Sequence, residues 1–75
     1  MQTQFKRHQK VKLLVTPKED DVEPYADPPQ KIKAGMIGKI NILLPNGRYH
    51  IKIEDDDGEE VAYVAMDEEQ LEAVD

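Results

Sequence analysis

The sequence predicts a small all-β domain, a barrel of about five strands with a long proline-rich loop after the first. Three observations predict it. Asn46-Gly47 sits between two runs of alternating polarity within residues 38–54, the strongest short-range hairpin signal. A second turn signal, Asp56-Asp57-Gly58, precedes a further alternating run. The chain has 75 residues and no Cys. A chain near this size buries only about 60% of its unfolded surface, so it supports one core and no disulfide framework.

Taken in order, Val11, Leu13 and Val15 alternate with Lys12 and Leu14 as a first strand. Residues 16–35 hold Pro17, Pro24, Pro28 and Pro29 with little periodicity, which predicts a loop, because proline cannot donate to a sheet ladder. A type I′ turn at Asn46-Gly47 would set Leu44 opposite Tyr49, Ile42 opposite Ile51 and Ile40 opposite Ile53, with Lys39–Glu54 on the other face. Pro45 beside the turn has no N–H to donate, which would open the loop to four residues. The next hairpin would pair Ile53 with Val61, Ile51 with Tyr63 and Tyr49 with Ala65, with Gly58 in the left-handed position of a three-residue loop. Asp67 and Gln70 resemble a capping box opening one turn, and residues 71–74 would form the last strand. Residues 1–75 read as a single domain, with residues 1–5 expected to be disordered.

The segments Val11-Lys12-Leu13, Lys33-Ala34-Gly35-Met36-Ile37-Gly38-Lys39-Ile40 and Met66-Asp67-Glu68-Glu69-Gln70-Leu71 carry a resemblance. Together they resemble the framework of small bacterial and phage SH3-like domains. Among these are the photosystem I ferredoxin-docking subunit, the variable chain of ferredoxin–thioredoxin reductase, the nitrogenase accessory protein of the NifZ type and domains of unknown function. Gly35 and Gly38 would serve the tight bend where the loop enters the meander. His8 stands where the resemblance expects a glycine. The resemblance implies an SH3-like barrel acting as a non-catalytic accessory or docking module on a larger assembly. Fold by itself does not fix function.

Ten Lys and Arg stand against sixteen Asp and Glu, a net charge of −6. Residues 1–53 carry all ten bases and five acids, giving +5, whereas residues 54–75 carry eleven acids and no base, giving −11. This balance opposes non-specific nucleic-acid binding, which draws its affinity from Lys and Arg. The apolar run from Val11 to Val15 is too short for a secretory core or a membrane span, so a cytoplasmic location is expected.

Enzymatic activity is not expected. The chain has no Ser and no Cys, and neither His8 nor His50 has a context that fixes a base and its orienter. Residues 54–60 place their glycine too early for an EF-hand loop and read as a solubilising hairpin tip; no metal or cofactor is expected. The best candidate surfaces are the acidic hairpin tip and the long loop, where Tyr25 lies among prolines beside Asp20, Asp21, Glu23 and Asp27, either as an exposed anchor or folded back over one end of the barrel. A stiff segment with an aromatic anchor and acidic neighbours suits a basic protein partner, bound by a monomer. The alternative is a KOW-like nucleic-acid or ribonucleoprotein module using Lys6, Arg7, Lys10, Lys12 and Lys39. Tyr25 would then be its stacking platform, because the hairpin register points Tyr49 inward.

Overall fold

The computed structural model describes residues 5–25 and 30–74, which form six strands, two 3-10 turns and no α-helix among those residues. The strands are β1 (Lys10–Leu13), β2 (Val22–Pro24), β3 (Ile37–Leu43), β4 (Tyr49–Glu54), β5 (Glu60–Met66) and β6 (Leu71–Ala73). Every pairing is antiparallel, in the order β2-β5-β4-β3-β1-β6. The strand beyond the expected five is β2, so the segment read as loop carries a 3-10 turn (Glu19–Asp21) and an edge strand. Pro24 is tolerated there. Tyr25 N–H donates to Val61 O at 2.9 Å, so alternation points the Pro24 nitrogen away from β5, where no donor is needed.

The first hairpin loop has three residues, neither the two of a type I′ turn nor the four that Pro45 would open. Leu44 N–H donates to Arg48 O (2.7 Å) and Gly47 N–H to Leu44 O (3.0 Å), which encloses Pro45-Asn46-Gly47. Proline's fixed φ suits the first central position of a type I turn, and Gly47 takes the left-handed position at φ 85°. Asn46 does not adopt positive φ, so the type I′ turn is excluded. The added loop residue moves the register. Leu43 pairs with Tyr49 and Ile42 with His50; then a bulge at Asn41 leads to Ile40 opposite Ile51 and Gly38 opposite Ile53. The expected pairs Leu44–Tyr49, Ile42–Ile51 and Ile40–Ile53 do not form, and Ile42 lies exposed beside His50.

The second loop has the expected form, with Asp55 N–H on Glu59 O, Gly58 N–H on Asp55 O, and Gly58 left-handed. Beyond it a bulge at Val61 moves the pairing from Glu54–Glu60 to Ile53–Ala62, Ile51–Val64 and Tyr49–Met66. Because side chains alternate with period two, this one-residue step reverses the expected faces. Ala62, Val64 and Met66 enter the core, while Tyr63 and Ala65 turn outward.

The core joins Val11 and Leu13 of β1, Ile40, Tyr49, Ile51, Ile53, Val64, Met66 and Leu71, with Ile32 added from the connector before β3. Burying each Ile or Leu fully stabilises by about 1.5–3 kcal/mol, which is what holds the bulged register in place. β1 ends at Leu13, where the strand was expected to continue. Leu14 N–H donates to Gln70 O, and Leu14 and Val15 are exposed. Phe5, expected to be disordered, packs edge-on against Tyr49 at 5.4 Å and donates its N–H to the Tyr49 hydroxyl.

Gly35 makes the expected bend at φ 95°, but Gly38 serves packing. It lies inside β3, where a Cβ would come within 2.7 Å of Lys52 O and of the Ile51 side chain. His8 adopts φ 70° at the third position of a turn closed by Gln9 N–H on Lys6 O, a left-handed position that favours glycine. Before β6, the turn Glu68–Gln70 opens with the expected capping box, Gln70 Oε1 accepting from Asp67 N–H at 2.9 Å.

Candidate functional site

The two bulges determine what the outer face of the sheet displays. One cross-strand row runs Lys10–Lys39–Lys52–Tyr63–Glu23, each residue opposite the next on β1, β3, β4, β5 and β2. Tyr63 is the centre of a ring cluster. His50 stacks on it at 4.8 Å with the planes 14° apart, and Tyr25 lies against it at 4.9 Å and 59°. The Asn41 side-chain amide donates to His50 Nδ1 (2.9 Å), which leaves the ring proton on Nε2, directed towards Glu23 Oε1 at 4.0 Å. The bulge residue Asn41 thus orients the imidazole.

Carboxylates surround the rings. The Tyr63 hydroxyl donates to Glu60 Oε2 at 3.0 Å. That hydrogen bond, together with some loss of solvent and the nearby charge of Glu60 and Glu23, raises the phenol above its ordinary value. Next to the rings is an open cleft of about 330 Å³ lined by Asp20, Asp21, Val22, Glu23, His50, Tyr63, Val64 and Ala65.

Arg48 holds one wall of this cleft. Its guanidinium makes two hydrogen bonds to Asp21 (3.2 and 3.3 Å), one to Asp67 (3.0 Å) and one to Ala65 O (3.1 Å). The Asp21 pair is the main cause that raises the Arg48 pKa further. Asp21 immediately precedes β2 and Asp67 precedes β6, so one side chain ties the approaches to both outermost strands of the sheet.

Of the residues expected to bind a partner, Tyr25 is 57% exposed, Asp20 and Glu23 are exposed, and Asp21 is half-buried under Arg48. Asp27 lies outside the described residues. Tyr25, Asp20 and Glu23 therefore meet around Tyr63 and His50, two residues the sequence reading did not select. A register without the Val61 bulge points Tyr63 inward, opposite Ile51.

The basic residues are divided. Lys10 and Lys39 are cross-strand neighbours, and Lys52 extends them. Glu54 takes both Lys39 (3.8 Å) and Lys52 (3.6 Å), Glu72 takes Lys12 (3.4 Å), and Asp55 and Asp56 share a cleft with Lys10 and Lys39. Arg7 donates to Asn41 O, and Lys6 is exposed apart from the row. Among the described residues no group of three or more His, Cys, Asp or Glu is arranged to hold a metal ion, and no helix is long and apolar enough to cross a membrane. No family model, curated protein or solved structure matches the chain.

Proposed function

We propose that this domain is a non-catalytic protein-interaction module of the accessory type, docking on a larger protein assembly through the outer face at β2 and β5. The observation that carries this reading is the exposed Tyr25 ring, packed on Tyr63, which itself lines a cleft with the exposed Asp20 and Glu23. An aromatic held by a neighbouring ring loses little freedom on docking, and a carboxylate border favours a basic partner. An SH3-like barrel is the fold proposed for it. In support, Arg48 joins the approaches to both outermost strands, and all inward side chains share one core.

The KOW-like reading is the weaker of the two, since acids alternate with the lysine row and neutralise much of it. Affinity capture from the native cell extract tests the choice. Capture of a protein partner that survives Lys10→Glu with Lys12→Glu, and is lost in Tyr25→Ala, is expected. Binding of generic RNA that persists at moderate salt and disappears in the lysine variant would overturn the proposal.

A further inference from the structure

The cleft beside the rings has a composition that specifies its occupant more narrowly than a basic surface. Three carboxylates line it, those of Asp20, Asp21 and Glu23, beside the imidazole of His50, and no Lys or Arg does. Asp21 already holds a guanidinium, that of Arg48, through a two-bonded fork. Asp20 makes no hydrogen bond or ion pair with a described residue, and Glu23 has only the distant His50 Nε2. Tyr63 and His50 stack on one another and together border the cleft, and the Tyr63 hydroxyl is engaged by Glu60. A flat cation gains from such a place twice. It stacks on aromatic surface, and its planar donors match carboxylate oxygens in pairs.

We propose that an arginine side chain of the docking partner enters this cleft, its guanidinium against the side of the Tyr63–His50 stack that borders it and its N–H groups on Glu23 and Asp20. Arginine is favoured over lysine because a compact, strongly hydrated ammonium neither stacks nor forms a fork. The inference rests on the docking function proposed above and names the chemistry of the contact.

The test is a titration of the isotope-labelled domain with a blocked Gly-Arg-Gly tripeptide, followed through backbone amide signals. The expected result is saturable movement of the Glu23, His50, Tyr63 and Ala65 signals, weaker with Gly-Lys-Gly and absent with the uncharged citrulline analogue. Asp20→Asn with Glu23→Gln, both at exposed positions, should weaken the response by about fivefold or more with the rest of the spectrum unchanged. Equal response to the citrulline peptide, an undiminished response in the double variant, or movement confined to other surfaces would overturn it. Capture of a partner through Tyr25 without a response to the arginine peptide removes this inference alone. An arginine response without any Tyr25-dependent partner removes the docking function instead.

Discussion

Arg48 and Asp21, 27 residues apart, meet through two hydrogen bonds of 3.2 and 3.3 Å, and this contact joins the first hairpin to the entry of the edge strand β2. The same guanidinium reaches Asp67 before β6, so the two outermost strands depend on one side chain. Arg48→Ala should therefore destabilise the domain by about 1–3 kcal/mol, given partly exposed charge-assisted bonds. Amide exchange should accelerate at β2 and β6 before β3 and β4. Arg48→Lys should recover little of the loss, since an ammonium cannot span Asp21, Asp67 and Ala65 O together. Equal acceleration in every strand would refute this role.

His8 occupies a left-handed conformation without being glycine. That geometry costs roughly 1–2 kcal/mol for an ordinary residue, against a smaller gain in unfolded-chain freedom when glycine is introduced. His8→Gly should raise stability by about 0.5 kcal/mol, whereas His8→Val should lower it by about 1 kcal/mol. Urea denaturation of the two variants decides the sign.

Gly38 and Gly58 are glycines for different reasons, and alanine at each should show it. At Gly58 a Cβ meets nothing within 4 Å, so the cost is left-handed strain alone, about 1 kcal/mol. At Gly38 the new methyl would collide with Lys52 O in the backbone of β4, which a rotamer change cannot relieve. Gly38→Ala should cost more, about 2 kcal/mol or above, and should disturb amide signals along β3 and β4.

The Tyr63 phenol sits above its ordinary value of 10.0, chiefly because it donates to Glu60. A raised folded-state value means the folded chain keeps a proton that the unfolded chain releases. The contribution is complete below pH 10.0 and disappears as pH rises through the folded value. Ultraviolet titration of tyrosinate, with Tyr63→Phe as the difference reference, should locate it. In Glu60→Gln the Tyr63 titration should move down towards the ordinary range; no movement would remove Glu60 as the cause.

Tyr25→Ala should leave stability nearly unchanged, because the ring is more exposed than buried and lies against an outer face. Loss of an interface anchor typically costs about 2 kcal/mol or more of binding, close to 30-fold in affinity. Calorimetry against the captured partner, beside thermal unfolding of the variant, separates the two effects.

Much of this molecule is written locally. Gly58, the Asp67–Gln70 capping box and the short last strand follow from φ restrictions and side-chain reach within a few residues, which the sequence states directly. The segregation of charge, and with it Asp20 and Glu23 near Tyr25, is equally plain. Pro45, through its missing N–H, pointed to a longer first loop but to one of four residues, whereas three form.

The faces of β5 beyond Val61 and of the far end of β3 were decided elsewhere. A bulge adds one residue to one strand and reverses every side chain beyond it, and neither Asn41 nor Val61 carries a local mark of being that residue. The positions of the bulges depend on which register buries Ile51, Ile53, Val64 and Met66 together, a property of the core as a whole. Sequence by itself determined an all-β chain, its second turn and its acidic end. Tertiary structure alone decided that Tyr63 faces outward to meet His50 and Tyr25, and that Arg48 reaches across 27 residues to Asp21, because packing energy is summed over strands that are distant in the chain.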